Sequence, residues 1–386
     1  MGKQLAILGG NPSFQNFAQR HNYLPVWKNF EKMVDGIYTR KYYTNHGPLA
    51  QELEKKLSAF LGVKHAICMT NTGIGLMIAI KALDLKGKVI VPAFSHISLS
   101  QAIIWADLEP VFCDVNVDMP HLNADSLNNF IEEDTCAVMG VNLFGDTCDY
   151  DGIEKVASKF SIRHYYVSDD AVGEEYKENK IGNFGSLEIF SLHESKIINS
   201  IDGCVITTND DFVAARLRNI RSSYGSGPTV PISFTGNGRM SEVQAGMALL
   251  TLEEFEGNVK ENKKTFGLYE DYLDEVEGIS IYKPRNFVSN RNYQRLVIRI
   301  DENKFGVSAL RLSKVFQAEN ICANTFIHYA LNPWFPNQAL SNMPNARRIS
   351  SSLLELPVRK IEPGIVCSVI KQALHDAKKI NNLLND

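Results

Sequence analysis

The sequence predicts an α/β protein, with a mostly parallel sheet covered by helices on both faces and a smaller α+β unit behind it. Short β-branched runs alternate with amphipathic helical stretches from His65 to Ala171. From Ser241 to about Val276 the apolar spacing turns continuously helical, and strand and helix patterns resume beyond it. At 386 residues, 44% of them apolar and 22% charged, the chain suits two soluble domains.

Taken in order, "PLAQELEKKLSAFLGV" places Leu49, Leu53, Leu57 and Phe60 at helical spacing behind Pro48, a residue suited to a first helical turn. "HAICMT" reads as a buried strand and "GIGLMIAIKAL" as a helix. "KVIVPAF" and "PVFCDV" are strands separated by the helix "SLSQAIIWA". "ADSLNNFIEE" predicts a helix, "CAVMGVNLF" a strand, "DYDGIEKVASKF" a helix and "HYYVSDDA" a strand. The long helical stretch links a large domain, residues 1–250, to a small one, residues 251–386, with a strand at "NYQRLVIRI" and helices at "SALRLSKVFQAE" and near the C-terminus.

The net charge of −4 argues against nucleic acid or an anionic membrane as main partner. Seven cysteines without a C-x-x-C pair or close Cys/His spacing disfavour a disulfide framework and a metal site, and suit a cytoplasmic protein. No run is apolar enough to span a bilayer, and "LGGNP" lacks the spacing of a dinucleotide fingerprint.

Ligands of such sheets gather at the carboxyl ends of the strands, and four of those ends are unusual. At Thr72-Gly73 a strand runs straight into a helix, which presents free N–H groups to an anion. "PAFSH" ends in the flat ring of His96. "VSDDA" ends in two carboxylates, of which strand alternation expects one to be exposed and the other, Asp169 or Asp170, to need a cationic or N–H partner. "SLHESK" holds Ser191, His193 and Lys196 in a polar turn. Singly, each has a plainer explanation: a packing turn, two helix caps and a solvated lysine. Together, a phosphate cradle, a stacking ring, a buried carboxylate and a lysine are the equipment for pyridoxal phosphate.

These motifs resemble those of the DegT/StrS-type sugar aminotransferases, fold-type I pyridoxal-phosphate enzymes. "SLHESK…SIDGC" is similar to the family's S-F-H-x-T-K…E-G-G and keeps Ser191, His193, Lys196 and Gly203, with Asp202 for the glutamate and Cys204 for the second glycine. "DDAV" resembles E-D-A-A, which implies that Asp170 partners the ring nitrogen. "PAFSH" and Thr72-Gly73 resemble the family's stacking and phosphate motifs. "GNGRMSE" resembles G-x-N-x-R-M-S-E, implying that Asn237 reaches the cofactor phosphate of a neighbouring subunit in a homodimer with shared active sites. Substrate contacts implied by the resemblance fall on Thr44 and Asn45 in "TNHGP", His193, Arg239 and His328. Two departures concern the segment after Asp170, which is short and lacks the side chain expected on the cofactor's hydroxyl, and "CANTFIHY" (322–329), where a subgroup of relatives has an Arg-rich run.

The resemblance implies a seven-stranded sheet and transfer of an amino group from L-glutamate to a nucleotide-linked keto sugar, with C4 of dTDP-4-keto-6-deoxyglucose the preferred acceptor. The product would feed surface polysaccharide such as O-antigen. A C3 aminotransferase and a UDP- or GDP-sugar enzyme stay open. A sugar dehydratase is disfavoured by Lys196, because those relatives carry a histidine there. A non-catalytic binding protein would need an output domain, and none is left over. Arg216, Arg218 and Arg221 read as a solvated helix face, and His328 and Trp334 as packing residues on a candidate substrate wall.

Overall fold

A computed structural model describes residues 4–17, 23–285, 287–329 and 343–384. The first strands of the main sheet are β1 (His65–Met69), β2 (Lys88–Pro92), β3 (Glu109–Cys113), β4 (Thr135–Val141) and β5 (Arg163–Val167). A small hairpin, β6 (Glu175–Tyr176) and β7 (Asn179–Lys180), precedes β8 (Glu188–Ser191) and β9 (Cys204–Thr208). The sheet order is β1-β9-β8-β5-β4-β2-β3, and β9 alone runs against its neighbours. Side-chain alternation explains why these strands read as unbroken apolar runs. Val89, Val91, Ala137 and Met139 pack into one core, while Ile90, Val138, Tyr166 and Phe190 pack into the core on the opposite face.

The C-terminal unit contains β10 (Ile279–Ile281), β11 (Val288–Ser289), β12 (Leu296–Ile300), β13 (Asn324–Thr325) and β14 (Leu353–Leu356). Four of them form an antiparallel sheet, β10-β12-β14-β13, while β11 crosses over to pair with β6. Ile298, Phe266, Leu312, Phe316 and Val366 form its core, and Leu5 packs there too. Glu319 secures that N-terminal segment, accepting from the Ala6 N–H at 2.6 Å and the Ser13 N–H at 2.8 Å.

The long helical stretch is two helices, Glu242–Glu253 and Phe255–Leu273, and the first starts with a Ser241/Gln244 capping box. The helix Pro48–Leu61 begins at its proline and ends on Gly62, whose φ of 67° suits a residue without a Cβ. The Leu49 and Ala50 N–H groups at its start donate to the Glu242 carboxylate at 3.0 and 3.1 Å.

Two expectations are corrected. "ADSLNNFIEE" forms only a 3-10 turn, Ala124–Phe130, because its Asn, Asp and Ser side chains favour local bonds such as the Asn123 cap on the Asp125 N–H. The arginines of the helix Asp211–Ser222 are not a solvated face. Arg216 and Arg221 are buried and Arg218 half-buried. Arg216 donates to the Ala82 carbonyl at 2.7 Å, and Arg221, 1% exposed, binds the Cys68 carbonyl at 2.9 Å and the Glu54 carboxylate. The polar stripe that reads as surface meets a carboxylate on another helix.

Burial pushes the Glu54 carboxyl up, but Arg221 and His46 outweigh it and hold the group at about 2. A depressed carboxylate contributes stability that is complete above its unfolded pKa of ~4.3 and is lost as pH falls toward the folded value. Glu54→Gln is therefore expected to cost about 3 kcal/mol near neutrality and to flatten the acid limb of stability. Thermal midpoints at pH 3 and pH 7 check this; an unchanged limb would assign acid sensitivity to other carboxylates.

Candidate active site

The carboxyl ends of β1, β2, β4, β5 and β8 open on one cavity of about 500 Å³. After β1, Asn71 caps the helix Thr72–Ala82 by accepting the Ile74 N–H at 2.8 Å. Thr72 and Gly73 at that start both line the cavity. The Thr72 hydroxyl donates to Ser191 Oγ at 2.9 Å, so the two hydroxyls stand side by side at the positive end of the helix. Beneath them Cys204 fills the place of a glycine. Gly75 makes the room, because a Cβ there would collide with the Cys204 thiol.

His96 follows β2. It caps the helix Ile97–Trp105 through Nδ1, which accepts the Ser98 N–H at 3.2 Å, and it also lines the cavity. The capping role is thus observed, and the ring is placed where a ligand in the cavity would meet it. Burial lowers the pKa of its ring, which favours a neutral flat imidazole.

β5 ends at Val167, so Asp169 and Asp170 lie in a turn and strand alternation does not govern them. Both line the cavity, which corrects the expectation that one is exposed. Asp169 accepts the Ser191 N–H at 3.0 Å. Asp170, 1% exposed, accepts from Lys196 Nζ at 2.7 Å, from Arg295 Nε at 3.1 Å and from the Phe144 N–H at 3.3 Å. Burial alone would raise the Asp170 carboxyl, but Arg295 and Lys196 together outweigh it and hold the group well below the usual range. Burial wins at Asp169, whose pKa rises although Lys196 opposes the shift. The adjacent carboxylates thus shift in opposite directions: the one bonded to both cations is held ionised, and the other is raised by its own burial.

Lys196 is 7% exposed in the turn between β8 and β9 and is no solvated lysine. The C-terminal unit fastens this turn and its partner. Gln294 accepts the Ile197 N–H at 3.0 Å and donates to the Asp170 carbonyl at 2.8 Å, and Asn292 donates to the same carbonyl at 2.9 Å.

Of the other expected residues, His193 lines the cavity from an exposed position. Thr44 and Asn45 are exposed in the loop before Pro48 and are not among the lining residues. Asn237 lines a separate cleft with Ile74, Met77 and Trp105, and Arg239 pairs with Met69 at the end of β1. His328 is exposed and does not line the cavity. Its neighbour Tyr329 does, because the Ser95 N–H donates to the Tyr329 carbonyl at 3.0 Å and draws that residue against His96. Trp334 lies outside the described residues. Sequence reasoning missed Arg295 and Tyr329. Arg295 also pairs with Glu355, and an arginine and a glutamate set in the apolar strand runs "RLVI" and "LLEL" were the available signal.

The donor set fits pyridoxal phosphate. Helix N–H groups and two hydroxyls suit a phosphate, an imidazole suits a ring face, an ionised carboxylate suits a protonated pyridine nitrogen, and a buried amine suits an aldehyde. Among the described residues no group of His, Cys, Asp and Glu is placed to hold a metal, and no helix is long and apolar enough to cross a membrane.

The sequence matches known proteins over most of its length. It is 30% identical over 363 residues to dTDP-4-amino-4,6-dideoxy-D-glucose transaminase of Shigella dysenteriae, covering 92% of this chain and 97% of that one. The Escherichia coli protein of the same name is 30% identical over 370 residues, with 94% and 96% covered. The solved structure of DesI in the presence of its TDP-sugar product superimposes with a TM-score of 0.92 at 26% identity, over 99% of both chains. Residues 26–371 match the DegT/DnrJ/EryC1/StrS aminotransferase family, and the chain, whose cavity gathers a buried lysine, a carboxylate and a helix start, belongs to it.

Proposed function

We propose that this pyridoxal-phosphate-dependent nucleotide-sugar aminotransferase moves an amino group from L-glutamate to C4 of dTDP-4-keto-6-deoxyglucose. The geometry that supports amino transfer is the buried Lys196 amine, 2.7 Å from Asp170 and beside the helix start at Thr72. The choice of sugar rests on the two transaminase relatives that match the chain almost end to end.

When bound, pyridoxal phosphate supplies an aldehyde that takes up the amino group and a ring that draws electrons from the adjacent carbon. Thr72 and Ser191 would hold its phosphate through hydroxyls, with the Gly73 N–H beside them. Asp170 would keep the ring nitrogen protonated by remaining ionised. Lys196 Nζ would take the proton from the donor's α-carbon and return it on the other side of the exchange, a general acid–base role. His96 would cover one face of the ring and keep water from it.

The test follows visible absorbance of cofactor-loaded protein through each half of the exchange. L-glutamate is expected to bleach the band, and dTDP-4-keto-6-deoxyglucose to restore it after the donor is removed. Bleaching without restoration by any 4-keto sugar would reject the acceptor; no bleaching would reject the donor.

We also infer that the active unit is a homodimer in which Asn237 serves the partner's cavity, since in its own chain it faces a different cleft. Mixing Lys196→Ala with Asn237→Ala protein is then expected to recover about a quarter of wild-type activity, because half the dimers would be hybrid and each would hold one intact site. A mixture as inactive as its components would place Asn237 outside the shared site.

A further inference from the structure

A second cavity, of about 510 Å³, lies along the amino-terminal half of β1, whose other end faces the active site. β1 is an edge strand, so every second residue turns its N–H and C=O away from the sheet. On this edge the Lys64 N–H donates to Asn209 Oδ1 at 2.8 Å and the Cys68 N–H to Glu54 Oε1 at 3.0 Å. Ala66, between them, is 2% exposed, and its outward N–H and C=O bond to no described residue. This gap in the capping of the edge falls where Ala66 lines the cavity. Buried backbone groups are rarely left unpaired, so the gap calls for an occupant.

The charges around the gap do not balance. Glu54 is the one carboxylate among the lining residues, and its oxygens already serve Arg221, His46 and the Cys68 N–H. Lys64 and His65 share Asp211. Arg218 and Lys55 line the same cavity and pair with no carboxylate among the described residues. The Arg218 guanidinium makes one hydrogen bond to a described residue, from Nη2 to His65 Nδ1 at 3.4 Å. That nitrogen accepts because Nε2 of the same ring carries the proton donated to Asp211 at 2.7 Å. The stem of Arg218 is gripped by Gly227, where φ is 78° and a Cβ would stand 3.0 Å from Arg218 Cδ. Burial pulls the guanidinium below its ordinary pKa, as expected of a cation short of a counter-ion.

We propose that this cleft is a second ligand site, which takes the phosphoryl group of a small molecule between Arg218, Lys55 and the Ala66 N–H. Two unmatched cations suit a group of charge about −1.5 to −2, whose oxygens also accept from a guanidinium and a backbone N–H. A single carboxylate would leave one cation unmatched. The Ala66 carbonyl beside them is an acceptor for a hydroxyl or N–H of the same molecule. The proposal does not depend on amino transfer, and none of these residues serves the mechanism above.

The test is calorimetry with pyrophosphate on protein saturated with pyridoxal phosphate, so that the helix start at Thr72 is already filled. Wild-type protein is expected to bind pyrophosphate, and acetate at the same concentration not to displace it. Arg218→Met should weaken pyrophosphate by about 10- to 100-fold, the loss expected for hydrogen bonds to a charged group. Lys55→Met, on an exposed stretch of helix, should weaken it by about threefold and serves if Arg218→Met does not fold. The imidazole NMR signal of His65, identified by its absence in His65→Gln, should shift as pyrophosphate is added, which reports the place of binding directly. No binding by wild-type protein, binding that ignores both substitutions, or displacement by acetate would overturn the proposal.

Discussion

Lys196→Ala is expected to cut amino transfer by about 10⁴-fold and to leave the fold intact. In the proposed mechanism one nitrogen, Nζ, would both meet the cofactor aldehyde and carry the transferred proton, so its removal would end two functions together. Stability should survive for a reason visible in the site. Asp170 would keep Arg295 at 3.1 Å and the Phe144 N–H at 3.3 Å, so no buried anion is stranded. Single-turnover absorbance with L-glutamate measures the first claim, and a thermal midpoint within about 3 °C of wild type the second. Activity retained to within tenfold would mean that another base moves the proton.

Asp170→Ala should do damage of the opposite kind, in both binding and stability. Two cations lose their shared oxygen. Arg295 retains Glu355, whereas Lys196 has no second salt-bridge partner among the described residues. Removing one member of a buried ionic group costs about 3–5 kcal/mol, and the remaining Glu355 places this case at about 3 kcal/mol. The thermal midpoint of the cofactor-free protein should drop by roughly 4 °C. Cofactor affinity should fall by about 10²-fold, since an ionic hydrogen bond to a ring nitrogen is worth a few kcal/mol. Titration of the visible band decides the assignment. If the dissociation constant is unchanged, the ring-nitrogen role passes to Asp169, which lines the same cavity.

The fold was legible because its signals are local. Strand runs such as "KVIVP" are apolar throughout since both faces are covered, and the helices between them declare their own caps and periods. The site was legible where chemistry sits at strand ends: Thr72, His96, Asp170, Ser191 and Lys196 line one cavity. What stayed hidden depends on pairings far apart in the chain. Arg221 reads as surface until Glu54, 167 positions away, is seen beside it. Arg295, just before β12, lies 60 positions from Glu355 on β14, and β12–β14 register sets Val297 opposite Glu355. Periodicity carries no information about such partners. The Asp169/Asp170 reading failed by a boundary, because alternation was applied two residues beyond the point where β5 stops.

The anchoring of the N-terminal segment has a consequence for how the chain matures. Ala6 finds its acceptor on Glu319, 313 residues later in synthesis. At a ribosomal pace of about 5–20 residues per second, that wait is roughly 15–60 s. Throughout it the apolar Leu5 and Phe14 have no core to enter, since the one they join is built from residues beyond Phe266. A segment made early is therefore among the last to be protected, and a nascent chain stalled before Glu319 would display those side chains to any passing chaperone or protease.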